Sequence, residues 1–198
     1  MRSAVSRPVT PQGKMINVSR RFGNPSIKKQ QGTTRTLYDS IPIDGRSEYR
    51  FFEESNTRQF PLTNMSNSGN KLGVGDAMVV ERCYLSVIEK DPDSGAIVAI
   101  YDVDTFGAPG ITIGELAFEI ANGQKIKEVT GMSFDPRFNK SAAYNGYNNF
   151  EFDTQLVIQP LLEFVFKYRV HQQPAVANHY FRFTIEGAAA IISMDQTI

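Results

Sequence analysis

In "LLEFVFKYRV" (161–170) large apolar side chains return at every second position, with Phe164, Phe166 and Tyr168 on one face. "HYFRFTIEGAAAII" (179–192) does the same, setting Phe181, Phe183 and Ile185 against Tyr180, Arg182 and Thr184. A repeat of two belongs to a strand, whose successive side chains point to opposite faces. No long stretch carries apolar residues at the helical repeat of 3.6. The one rival, "ITIGELAFEIA", opens on β-branched residues and closes at Asn-Gly, which favours strand. The chain is therefore restricted to a fold made of sheets.

The remaining segments agree. "ELAFEIANGQKIKEV" (115–129) predicts a hairpin, because Asn122-Gly123 supplies the positive φ that a type I′ turn needs at both central positions. Strands are expected at 37–43, 47–52, 77–90, 96–103, 150–158, 161–170 and 179–192. "DPDSG" (91–95) reads as a turn, while 56–76, 105–114 and 131–149 read as loops or connections. With 41% hydrophobic residues, including 14 Phe and 8 Tyr, there is material for a packed core. Seven or eight strands in one domain suit an all-β sandwich or barrel of antiparallel sheets.

The first 36 residues differ in kind. They are rich in Ser, Thr, Gln, Gly and Pro, with only scattered apolar residues, too few to offset the entropy of ordering them. Up to Tyr38 the chain carries Arg2, Arg7, Lys14, Arg20, Arg21, Lys28, Lys29 and Arg35 and no acid. Residues 39–198 hold the other 13 basic side chains and all 21 acidic ones, a net of −8 beneath an overall charge of zero. This segregation predicts a basic extended arm (1–36) on an acidic body (37–198). The arm's cations are expected to touch a neighbouring subunit or nucleic acid, where each phosphate contact releases counterions. Its isolated apolar residues, Val9, Ile16, Phe22 and Ile27 foremost, with Val5, Met15 and Val18, are expected to anchor in a neighbour's grooves. Phe22, beside Arg20 and Arg21, also has the ring that base stacking uses.

Catalytic signatures are sparse. Cys83 is the lone cysteine, so no intrachain disulfide forms, and its apolar setting "AMVVERCYLSVI" marks it as a core residue. The start lacks an apolar signal region and no apolar run approaches the roughly 20 residues of a membrane helix, so a soluble, reducing compartment is expected. His171 and His179 flank "HQQPAVANH" at a separation with no established ligand pattern. Asp91/Asp93 and Asp102/Asp104 have the spacing of calcium-binding carboxylates, but the first pair sits in a run that a turn alone requires. "GNKLGVGD" (69–76) lacks the Gly-Lys-Ser/Thr ending of a phosphate loop. No enzyme activity, cofactor, metal or small-molecule substrate is expected.

A basic N-terminal arm, an all-β body of about eight strands and long polar loops together resemble the jelly-roll capsid proteins of small icosahedral viruses, particularly tailless bacteriophages. "LYDSIPIDGRSEYRFFEESNTRQFPLTNM" and "FEFDTQLVIQPLLEFVFKYRV…HYFRFTIEGAAAII" carry that likeness. The resemblance implies an antiparallel β-sandwich of jelly-roll type with an extended N-terminal arm. It also implies a virion structural protein, assembled in the host cytoplasm from copies of itself with other virion proteins. The arm would tie subunits together and, through its cations, meet genomic nucleic acid. Gly, Pro and apolar residues interrupt those cations, which favours subunit contacts.

Two other classes fit parts of the chain. One is a nucleic-acid-binding β-module with a basic tail. The other is a minor virion, receptor- or carbohydrate-binding protein, in which Tyr144 and Tyr147 of "SAAYNGYNNF" stack on sugar rings, a reading weakened by the absence of Trp.

Overall fold

A computed structural model describes residues 30–66, 69–74, 76–102, 114–120, 124–130, 149–170 and 175–192. The described elements are strands β1 (Gln30–Pro42), β2 (Glu48–Phe51), β3 (Ala77–Lys90), β4 (Ile97–Asp102), β5 (Gly114–Ile120), β6 (Gln124–Thr130), β7 (Asn149–Ile158), β8 (Phe164–Val170) and β9 (His179–Ile192). One short 3₁₀ turn, Ser55–Thr57, follows β2. All the described strand pairings are antiparallel. The protein is an all-β fold of two antiparallel sheets.

Sheet I runs β1-β9-β3, and the far side of β3 is shared: β7 pairs its first half and β4 its second. Sheet II runs β2-β8-β5-β6. With β4 set aside, the pairs nest: first strand with last (β1·β9), second with second-last (β2·β8), third with third-last (β3·β7), and β5·β6 at the centre. Such nesting is what one long antiparallel ribbon produces when it is folded at its middle and rolled.

The alternation read from the sequence decides what fills the space between the sheets. Phe164, Phe166 and Tyr168 of β8 are buried, as are Phe181, Phe183 and Ile185 of β9. The two rows meet across the sandwich: Phe166 lies 4.9 Å from Phe183 between ring centroids, and Tyr49 of β2 packs edge-on against Phe181 at 4.8 Å. Offset and edge-on ring pairs of this kind add to the burial of their large apolar areas. Cys83 is buried in the same core.

Two local features shape sheet I. The register of β3 against both β7 and β9 shifts between Val80 and Arg82, a bulge that bends the long strand. Gly187 of β9 faces that bulge so closely that a Cβ would stand 1.9 Å from the Val79 carbonyl oxygen. At the end of β2 Phe52 has φ 71, unusual for an aromatic residue; its buried ring packs on Phe164, and its N–H donates to Asp39 Oδ2 at 2.7 Å.

The boundary of the body differs from the expectation. Strand β1 starts at Gln30, not Leu37, and residues 30–36 pair with β9 from Ile192 to Glu186. Their polar side chains conceal this, because they complete a ladder whose apolar material comes from the Ala-rich end of β9. The segment in question is thus shortened to residues 1–29, which lie outside the described residues.

Candidate interaction surfaces

Of the expected arm contacts, Arg2, Arg7, Lys14, Arg20, Arg21, Lys28 and Lys29, and the anchors Val9, Ile16, Phe22 and Ile27, lie outside the described residues. Arg35 does not, and it belongs to a strand rather than to an arm. It sits in β1, with Nη1 3.3 Å from Asp76 Oδ2, so its ion pair is within the chain.

The free edge of β1 is covered from Thr36 to Asp39. Asn64 caps it as a strand would, donating from Nδ2 to the Thr36 carbonyl at 2.8 Å and accepting the Tyr38 N–H at 2.9 Å. Thr63 Oγ1 donates to the Tyr38 carbonyl at 3.0 Å, and an isolated bridge joins Asp39 to Thr63. Underneath, the fully buried Asp39 accepts from Arg58 through both oxygens. Arg182 closes the loop from the other side: Nη2 donates to the Pro61 carbonyl, Nε to Ser40 Oγ at 3.1 Å, and the guanidinium lies over the Tyr38 ring at 4.6 Å. Burial lowers the pKa of Arg182 from its ordinary value. The sequence announces none of this, since 56–76 reads there only as a long loop. An Asp in a strand beside large apolar neighbours was the one available signal.

The outer faces of the two sheets differ in chemistry. Sheet II is laced with ion pairs: Glu48 with Arg169 at 2.9 Å and with Arg50 at 3.4 Å, and Glu119 with Lys167 at 2.7 Å. The Arg169 hydrogen bond holds the Glu48 carboxyl below the usual range. Sheet I instead has a small apolar cluster of Val79 and Ala190 with Ala77 and Val157, and β4 projects Val98 (58% exposed) and Ile100 (66% exposed) into solvent. Val74 and Leu161 are exposed on two loops that meet where the Leu161 N–H donates to the Leu72 carbonyl at 3.0 Å. The exposed Val98, Ile100, Val74 and Leu161, unlike the buried Val79 and Ala190, are the material from which protein contacts are built.

Among the candidates for chemistry, Asp91 and His179 are described, and Asp104 of the second carboxylate pair lies outside the described residues. Asp91 Oδ1 accepts the N–H groups of Asp93 and Ser94 at 2.8 and 2.9 Å, which is turn-capping. His179 stacks on Tyr101, with ring centroids 6.0 Å apart and Nδ1 2.8 Å from the Ala177 carbonyl oxygen; His171 lies outside the described residues. Tyr144 and Tyr147 do too. Among the described residues no cluster of three or more His, Cys, Asp or Glu side chains could hold a metal ion, and no helix is long and apolar enough to cross a membrane. The Tyr49 hydroxyl is enclosed without a hydrogen-bond partner, and burial pushes its pKa up to about 12.

The described surface is thus that of an antiparallel β-protein with one partly covered sheet edge, one charged face and one partly apolar face. In comparisons with protein-family models, curated proteins and solved structures, nothing matches the chain.

Proposed function

We propose that the protein is a jelly-roll capsid subunit, a virion structural protein that self-assembles into an icosahedral shell. The nested pairing β1·β9, β2·β8, β3·β7 and β5·β6 carries this reading. A rolled ribbon of eight strands in two facing sheets is the jelly roll, a block common in viral shells. In this reading β4 is an addition to the eight, a hairpin partner for the second half of β3.

The function is mechanical. An aromatic core makes the block rigid, and exposed Val74, Leu161, Val98 and Ile100 supply contact area for neighbouring copies. Residues 1–29, with seven cations and no acid, tie those copies together, and the cations also meet the acidic body of a neighbour or the genome. Ordering such a segment only against a neighbour makes assembly switchable. The subunit acts with other virion proteins, is assembled in the host cytoplasm, and needs neither cofactor nor substrate.

Mass measurement of the full-length protein by light scattering, at low and high salt, with electron microscopy of the same samples, tests the proposal. Closed particles that loosen as salt rises are the expected result. A 22.2 kDa monomer under every condition, including with added nucleic acid, overturns it.

A further inference from the structure

Strand β4 stands at the margin of sheet I and, among the described residues, pairs only with β3. Unlike β1, its outer edge has no capping side chain among the hydrogen bonds described. The run from Ala96 to Tyr101 contains no charge and no proline, the usual devices that keep an edge from pairing. Tyr101 packs against the core while Val98 and Ile100 face solvent. The ends of this edge are acidic: between Glu89 and Asp104 the sequence has five acids and one lysine, with Asp91 and Asp93 in the turn before β4 and Asp102 closing the strand. An extended segment that fits this edge has apolar residues two apart and cations at both ends.

We propose that the edge of β4 receives residues 14–20 of a second copy of this chain as an added antiparallel strand. This rests on the capsid reading for the second copy. In one register Lys14 stands opposite Asp102, Ile16 opposite Ile100, Val18 opposite Val98 and Arg20 opposite Ala96, beside the acidic turn. In that alignment apolar meets apolar, Lys14 meets an acid and Arg20 lies next to the acidic turn, and such opposite-charge and apolar pairs stabilise adjacent strands. Antiparallel pairing of β4 with itself about Ala99 is disfavoured, since it sets each Asp102 beside the other copy's acidic turn.

The geometry requires the strand to come from another copy. Gln30 is level with Ile192 at one end of β9, whereas Glu89, next to the turn, is level with His179 at the other end. At about 3.3 Å per residue these levels are about 43 Å apart. The ten residues from Arg20 to Gln30 reach at most about 35 Å when fully extended. A chain cannot lay its own Arg20 beside its own β3–β4 turn in this register. The addition therefore links subunits, and each subunit both gives and receives a strand.

Cysteine pairing in the full-length protein tests this. Val18→Cys with Val98→Cys is expected to oxidise to covalent oligomers between chains, and Val18→Cys with Val74→Cys is not. Lys14→Glu is expected to reduce the 18–98 cross-link several-fold, and Lys14→Glu with Asp102→Lys to restore it. Val98→Cys alone forming dimers as fast as the double variant overturns the proposal in favour of self-pairing. Closed particles without the 18–98 cross-link overturn the strand addition and leave the capsid reading standing. Cross-linked open oligomers that never close support the strand addition and overturn the capsid reading.

Discussion

Arg58 grips Asp39 with two hydrogen bonds, Nε to Oδ1 at 3.0 Å and Nη2 to Oδ2 at 2.6 Å, and Asp39 has no exposed surface. The same carboxylate accepts the Phe52 N–H, so one buried charge joins β1, the end of β2 and the loop that covers the β1 edge. Asp39→Ala leaves the Arg58 charge, only 14% exposed, without its partner and orphans the Phe52 N–H. Breaking a buried pair from one side costs about 3–5 kcal/mol. Asp39→Asn keeps an acceptor for Phe52 and is expected to lose less. Urea unfolding of both variants checks the order.

Gly187 admits no side chain. The Cβ of Gly187→Ala would meet backbone atoms of β3, which cannot swing aside as a flexible side-chain tip does. The expected loss is about 3 kcal/mol or more, by overpacking against the bulge. Thermal unfolding measures it. A variant as stable as the parent would mean that β9 and β3 stand further apart than described.

Tyr49→Phe is expected to be neutral or to stabilise the fold by about 1–3 kcal/mol, since the buried hydroxyl has no partner. The same substitution removes one late step from the spectroscopic titration of the tyrosines. With its pKa raised to about 12, Tyr49 favours the folded state fully below the ordinary tyrosine value, and that contribution is lost as pH rises through 12.

Acid acts on the outer face of sheet II. The Glu48 carboxyl is held low, chiefly by the hydrogen bond from Arg169. Its contribution is complete above the ordinary glutamate range and is lost as pH falls through the lower folded value. Glu48→Gln should therefore flatten the decline in stability as pH falls below the ordinary glutamate range. Denaturant midpoints at several acidic pH values check this; an unchanged slope would show that the pair is too well solvated to matter.

Deletion of residues 1–29 should leave a folded body, because the strand that begins at Gln30 and its ladder to β9 are retained. The truncated protein is expected to keep its far-ultraviolet circular dichroism and lose assembly. Normal closed particles from it would remove the tying role assigned to this segment.

Element positions were largely legible in the sequence. Strand β9 falls at 179–192 as its alternation predicts, β3 at 77–90, and the arms β5 and β6 pair antiparallel as a hairpin. Ile120, however, stands opposite Gln124, one residue off the register of a two-residue Asn122-Gly123 turn, and the register shifts between Phe118 and Glu119; the turn itself lies outside the described residues. The start of β1 was not legible, because residues 30–36 are polar and become a strand only where β9 offers a ladder. Nor was the role of Asp39, whose partners stand 13 and 19 residues away.

Local chemistry by itself therefore determined that this protein is made of strands, which face of β8 and β9 is apolar, and where the positive charge is gathered. These are properties of neighbouring residues, set by a repeat of two and by composition. Tertiary structure alone decided which strands are neighbours, that Asn64 and Thr63 cover part of the edge of β1 while β4 pairs only with β3 among the described residues, and that Arg35 belongs to a strand of the body. Those outcomes depend on contacts between distant residues, whose energies no local repeat encodes.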